Sequence, residues 1–321
     1  MKVVSSIRAA FDGQLERNKV LKEKVDALLD RAIYHRWHYE SRLKQLESFA
    51  LKIETGRCSE PNALEDFFGC TVVVQNLTEI NSAEVLIEKY CDVKYRRPKS
   101  AHQTAKYPDS FPFDDLRLYV TLKQDLALPP EPLRDIVFEI QVKTFLQHAW
   151  SIATHDLIYK GDNLTWGRER IAYHIKAMIE QAEVSISGVD LLANLPEVKK
   201  DHLDFTILKK IQDLIKKSWP SSDLPIDILR LSRTVAEMLK LISMKVEDLD
   251  EILKDETAAG RGPATRDLSP YTTIIQAIIN QQPSLMEEFS QRIKPKGKIC
   301  LPLEVVITRT KITRLDNFVR W

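Results

Sequence analysis

FEIQVKTFLQHAWSIATHDLIYK, Phe138 to Lys160, changes its repeat halfway along. Its first seven residues alternate, so Phe138, Ile140 and Val142 fall on one face of a strand and Glu139, Gln141 and Lys143 on the other. The apolar face is ready for burial. The opposite face, expected to stand open, carries a carboxylate, an amide and an ammonium. Glu139 and Lys143 are separated by about 13 Å along a strand, too far for an intimate ion pair, so each is expected to act on something lying across the sheet. From Phe145 the spacing turns helical and brings His148, Trp150, His155 and Asp156.

Working outward, TVVVQN (Thr71–Asn76) reads as a short strand because β-branched residues pack well on a pleated surface. Ala83 to Tyr90 reads as a helix. VKYRRP and a polar loop through Asp109 follow, then the strand DLRLYVTLK (Asp115–Lys123) and the turn PPEP (Pro129–Pro132). These elements predict an α+β fold, a small mixed sheet flanked by helices. Ahead of them, apolar residues from Leu21 to Phe49 recur every three or four positions and predict one or two amphipathic helices. Arg31, Arg36, Arg42 and Lys44 lie on their polar sides and read as a solvated face.

Beyond the core, Arg168 to about Lys254 is helical in pattern, and the Gly, Thr and Pro of Thr257–Pro270 read as an exposed loop. Short helices are expected over Tyr271–Gln281 and Ser284–Ile293, and a strand over Leu303–Ile312. The expected organisation is a helical lead over residues 1–50, a mixed core over 51–195, and a mostly helical C-terminal region over 196–321 that ends in a strand.

Charge and composition restrict the function classes. Lys plus Arg (47) nearly balances Asp plus Glu (46) in 321 residues, which argues against a broad basic surface for duplex nucleic acid and leaves room for a local basic cleft. The four cysteines lack CxxC spacing, and no signal peptide opens the chain, so a reducing, cytoplasmic setting without disulfides is expected. Apolar runs such as VVV and LALP are too short to span a bilayer. A GxxxxGK[ST] phosphate loop is missing, which disfavours ordinary Walker-type hydrolysis. His148 and His155 are two helical turns apart, too widely spaced to ligate one zinc together.

Asp66 supplies a second acid. It lies in EDFFGCTVVV just ahead of the first core strand, where Gly69 is expected to allow a close approach of helix end and strand start. If that strand neighbours the one at Phe138, Asp66 and Glu139 converge on one Mg²⁺, a hard cation that takes one or two protein carboxylates and completes its shell with water and phosphate oxygens.

The segment EIQVKTFLQHAWSIATHDLIYK resembles the terminal motif of the RelA/SpoT-type nucleotide pyrophosphokinases, the alarmone synthetases. In that family a strand close to E(V/I)QIRT enters a helix with a Trp and an H-x-L-x-YK ending. Glu139, Gln141, Thr144, Trp150, His155, Leu157, Tyr159 and Lys160 match it, with Lys143 in place of the arginine. NALEDFFGCTVVVQNL resembles the family's D-x-x-G-x-R strand opening, ETGR (Glu54–Arg57) its ATP-side arginine element, and FDDLRLYV (Phe113–Val120) its guanine-stacking segment. The resemblance runs from about Leu43 to Leu191 and is that of a divergent relative of the small alarmone synthetases.

The resemblance implies Mg²⁺-dependent transfer of the β,γ-pyrophosphate of ATP to the 3′-hydroxyl of GDP or GTP, making (p)ppGpp, the stringent-response signal, and AMP. It implies that Asp66 and Glu139 hold Mg²⁺, that Glu139 accepts the hydroxyl proton, and that Arg57, Lys143 and Lys160 meet the growing negative charge. Phe113 would stack on the base. Arg117, Gln141 and His155 complete the implied nucleotide-binding set.

The chain departs from the family at defined points. Thr71 stands where the family has an arginine, Phe113 where it has a tyrosine, Arg117 where it has a histidine, and only eight residues separate Arg57 from Asp66. Two alternatives therefore stay open: a toxin-like pyrophosphokinase acting on adenosine nucleotides or an RNA 3′ end, and a nucleotide-binding regulatory protein with little catalysis. The C-terminal region is expected to bind a regulatory partner or to mediate homo-oligomerisation.

Overall fold

Helix α1 (Ser5–Ala32) buries Phe11, Gln14, Asn18, Leu21, Val25 and Leu29, a stripe with the three- and four-residue spacing of one helix face. The computed structural model describes residues 2–58, 60–100, 104, 107, 115–123, 131–158, 165–263, 267–307 and 310–320, without the side chains of 131, 132 and 155–158. Contacts divide the chain into two units, Met1–Leu195 and Pro196–Trp321. Gln14 belongs inside the first unit because its amide donates to the Pro61 carbonyl at 2.6 Å and accepts from the Leu64 N–H at 3.4 Å.

The helical reading of Leu21–Phe49 is corrected at its centre, where β1 (His38–Leu43) stands between α1 and α2 (Leu46–Glu54). In HYESRL the period is two: His38, Glu40 and Arg42 share one face, and Tyr39, Ser41 and Leu43 the other. The half-buried face contains a serine and a tyrosine, whose hydroxyl donates to Asp26 Oδ1 at 2.7 Å, so no apolar alternation announces the strand.

Four more strands and their helices complete the unit. They are β2 (Phe68–Val74), α3 (Ile80–Tyr90), β3 (Cys91–Arg97), β4 (Leu116–Leu122), α4 (Glu131–Arg134), β5 (Phe138–Thr144), α5 (Phe145–Ile158), α6 (Trp166–Ser187) and α7 (Val189–Ala193). The strands lie in the order β1-β2-β5-β4-β3, with β2 and β5 parallel and the other pairs antiparallel. Phe68, Val72, Val74, Leu118, Val120, Phe138, Ile140 and Val142 form the apolar face, packed with Leu21, Val25 and Leu29 of α1 and Ala83 and Ile87 of α3. Fully burying a side chain of this size is worth about 1.5–3 kcal/mol, so this face fixes which way the sheet lies.

The polar face of β5 is not open as expected: Glu139 and Lys143 are only 6% and 8% exposed. Residues of α5 line the same cavity as this face. That helix is held against α6 by Trp150 Nε1 donating to the Ala172 carbonyl at 3.2 Å, and Thr144 at the end of β5 hydrogen-bonds Glu183 of α6.

The second unit is mostly helical. It contains α8 (Leu203–Ser218), α9 (Ile228–Ile242), α10 (Val246–Ala258), α11 (Pro270–Gln281) and α12 (Pro283–Gln291) around a core that includes Ile211, Ile215, Leu239, Leu253, Ile275, Ile278 and Phe289. Ser269 caps α11 and Pro270 occupies its first turn, where the missing N–H costs nothing. Two short parallel strands, β6 (Ile299–Leu301) and β7 (Phe318–Arg320), flank the stretch predicted as one strand over Leu303–Ile312. The described residues of that stretch form no strand, and their backbone finds other partners. Gln276 accepts from Val306 N–H at 2.7 Å and donates to its carbonyl at 3.1 Å, while Glu287 accepts from Lys311 N–H at 2.8 Å. No helix among the described residues is long and apolar enough to cross a membrane.

Glu256 is the electrostatic centre of this unit, 2% exposed. Arg261 grips it with two bonds at 2.7 and 3.1 Å, and Asn280 and Gln281 donate at 2.9 and 2.7 Å. Burial pushes the carboxyl up, but these donors outweigh it and hold it down at about 2. A depressed carboxyl stabilises the fold above its unfolded value and loses that contribution as pH falls through the folded value. At roughly 1.4 kcal/mol per pH unit, the contribution is about 3 kcal/mol. Urea unfolding of the second unit is therefore expected to weaken between about pH 4.5 and pH 2, and Glu256→Gln to remove most of that slope.

Candidate functional site

The strand pairings set the polar face of the sheet out in rows. One row reads Arg42–Gly69–Glu139–Tyr119–Tyr95, and the next reads Glu40–Thr71–Gln141–Arg117–Arg97. Directly opposed residues on paired strands share a face, so side chains far apart in sequence come to one surface. The parallel pairing of β2 with β5 is the neighbour relation that Asp66 and Glu139 need to approach each other.

A cavity of about 580 Å³ lies on this surface, and Glu40, Arg42, Asp66, Gly69, Thr71, Arg117, Glu139, Gln141, Lys143 and His148 are among its lining residues. Gly69 sits inside β2, so the tight approach expected between helix end and strand start is corrected. A Cβ there would meet only the Glu139 carbonyl oxygen, at an ordinary 3.6 Å. The glycine leaves the floor of the cavity open between Arg42 and Glu139.

Glu139 is fixed on both oxygens. Tyr119 donates its hydroxyl to Oε2 at 2.8 Å, Gln141 donates to Oε1, and Arg117 Nη1 stands 4.0 Å from Oε2. Tyr119 is held in turn by stacking on Tyr95, with ring centroids 4.3 Å apart and planes inclined by 11°. Arg97 lies over both rings, at 5.7 and 5.3 Å.

Asp66 is gripped by two lysines at 2.8 Å each, Lys44 just after β1 and Lys52 on α2. Burial pushes its carboxyl up, and the two ammonium groups overcome this and hold it below the usual carboxylate range. Both lysines use Oδ2, while Oδ1 is buried without a hydrogen-bond partner. Asp115 behaves in the opposite way. It is 5% exposed, and burial pushes it up despite Arg117 at 3.1 Å and Lys143 at 3.9 Å. Burial likewise pushes Lys143 down, against the pull of Asp115.

Asp66, Glu139, Gln141, Lys143 and Arg117 thus come to one cavity. Arg57 does not line it; it is exposed beyond the C-terminus of α2. Phe113, Lys160 and the side chain of His155 lie outside the described residues. Lys44 and Arg42, read from sequence as part of a solvated helix face, belong to the site, and Lys52 was not singled out at all. The signal that could have found Arg42 and Lys44 is the period of two in HYESRLK, which alternates charged residues on one strand face. Chemically the cavity offers hard carboxylate oxygens beside several cations, an arrangement suited to a polyanion and a hard metal ion.

Residues 41–164 match the family described as the region found in RelA / SpoT proteins, and they form a RelA/SpoT-type domain. Comparison with curated protein sequences gives no match. Among solved structures the chain is similar to the small alarmone synthetase 1 from Bacillus subtilis bound to its product pppGpp, at 15% identity and a TM-score of 0.47 over 56% of this chain and 96% of that one. It is also similar to a GTP pyrophosphokinase family protein from Streptococcus pneumoniae, at 17% identity and a TM-score of 0.43 over 62% and 100% of the two chains. The small alarmone synthetase 2 from Bacillus subtilis gives 18% identity and a TM-score of 0.42 over 54% and 91%.

Asp66→Asn removes the carboxylate that keeps Lys44 and Lys52 together. It is expected to lower stability by about 1–2 kcal/mol, between the costs of breaking exposed and buried pairs. Equilibrium urea unfolding should show a lower midpoint at unchanged slope.

Proposed function

We propose that the RelA/SpoT-type domain is a nucleotide pyrophosphokinase that moves the β,γ-pyrophosphate of ATP to the 3′-hydroxyl of GDP or GTP, with Mg²⁺ as cofactor. The observation that carries this reading is the meeting of Asp66 and Glu139 in one cavity that also holds Arg42, Arg117 and Lys143. In the reaction the 3′-oxygen forms a bond to the β-phosphorus, the bond from that phosphorus to the α–β bridging oxygen breaks, and AMP leaves. The hydroxyl proton passes to Glu139.

The donor set fits Mg²⁺. Asp66 presents a buried oxygen without a hydrogen-bond partner, and Glu139 offers a second carboxylate in the same cavity. Held there, the ion would neutralise charge on the triphosphate. Gln141 and Tyr119 fix the Glu139 carboxylate so that it need not reorganise during proton transfer. Lys143 and Arg117 line the cavity as cations for the transferred phosphates, and Lys44 and Lys52 flank Asp66 on the ATP side. These lysines supply basic residues that the short segment after Arg57 lacks. Gly69 keeps the floor clear for the ligand.

The test is chromatography with mass detection after incubating the protein with Mg²⁺, ATP and, separately, GDP, GTP or tRNA. The expected result is pyrophosphorylated GDP or GTP together with AMP, formed about 10²–10⁴-fold more slowly by a folded Glu139→Gln variant. Product from tRNA alone would reassign the acceptor, and no AMP under any condition would overturn the reading.

Gly69→Val separates the cavity from the fold. A β-branched residue suits a strand interior better than glycine, so stability should be unchanged or slightly higher, while ATP affinity measured by calorimetry falls at least about tenfold because the floor is filled.

A further inference from the structure

We propose that His38, Glu40 and His148 form a binding site for one transition-metal ion of the zinc class, chemically distinct from the carboxylate pair Asp66 and Glu139. The inference does not depend on the nucleotide reading. A ligand atom from each of the three residues lies within 4.8 Å of those of the other two. His38 and Glu40 are two apart on β1 and therefore share its polar face, and His148 sits in the first turns of α5. The two imidazole rings have centroids 5.9 Å apart and are inclined by 44°.

His148 points to a ligand independently of this clustering. The residue is 8% exposed, and its Nδ1 is buried without a hydrogen-bond partner. That atom faces Glu40 Oε1 at 3.9 Å, too long for a hydrogen bond. Ligand atoms on one zinc lie about 3.3 Å apart, given metal–ligand bonds of about 2.0–2.2 Å. A small closure of the exposed Glu40 and His38 side chains brings the set to that geometry. Lys143 lines the same cavity, but its charge faces Asp115 as well, and Glu40 brings a negative charge to the cluster.

Two imidazoles with one carboxylate select borderline metals such as Zn²⁺ over Mg²⁺ or Ca²⁺. Three protein ligands leave a fourth tetrahedral position for water or a ligand in the cavity. The ion would tie the edge strand β1 to α5.

The experiment is calorimetric titration of chelator-stripped full-length protein with Zn²⁺ at neutral pH in excess Mg²⁺, followed by Co²⁺ absorption spectroscopy. One zinc per chain is expected. The affinity should fall about tenfold or more in both His38→Ala and Glu40→Gln, two exposed positions whose variants should keep the fold by circular dichroism. The cobalt spectrum should lack a thiolate charge-transfer band. Absence of binding, binding unchanged in both variants, or a cobalt–thiolate spectrum from Cys58 or Cys300, the partly exposed cysteines, would overturn the assignment.

Discussion

A one-residue slip of β5 against β2 would turn Glu139, Gln141 and Lys143 into the core and Phe138, Ile140 and Val142 into the cavity. Each of those three apolar side chains is fully buried, and each is worth about 1.5–3 kcal/mol when removed from water. Burying a lysine and a glutamate among Leu21, Val25 and Ile87 would add the cost of desolvating two charges. The register is therefore determined by the apolar face, and the positions of the polar groups follow from it. Gly69 meets Glu139, Thr71 meets Gln141, and Arg117 meets Gln141 from the other side.

Placing so many charges on one face needs a compensating arrangement. Cations stand close to three carboxylates of this face: Lys44 and Lys52 to Asp66, Arg117 and Lys143 to Asp115, and Arg117 to Glu139. Asp66 is held ionised by its lysines, whereas burial wins at Asp115. The same surface thus contains one acid kept ready for a cation and another drawn toward neutrality.

Three strands of the sheet, β2, β4 and β5, were legible from β-branched runs and simple alternation. FEIQVKT alternates cleanly, and its polar positions line the cavity. HYESRL also alternates, but its half-buried side mixes Tyr39, Ser41 and Leu43, so the strand was hidden inside an apparent helix and its charges were read as solvated. What the hydropathy pattern does not reveal in the first half of α1 is that Gln14 and Asn18 occupy core positions through hydrogen bonds. The stretch after β6 misled in the opposite direction. VVIT has strand composition, yet the backbone of Val306 is held by the side chain of Gln276, a long-range contact without a local signal. The lysines on Asp66 were missed because pairs 22 and 14 residues apart in sequence become neighbours only through the fold.

The account stands or falls on whether Asp66 and Glu139 act on one ion together with a triphosphate. The most direct measurement is a crystal structure with Mn²⁺ in place of Mg²⁺ and a non-hydrolysable ATP analogue, using anomalous scattering to locate the metal. The account predicts a manganese peak bound by both carboxylates, with the analogue's phosphates reaching the ion and the cavity's basic side chains. Nucleotide bound elsewhere, or manganese bound without either carboxylate, would contradict it.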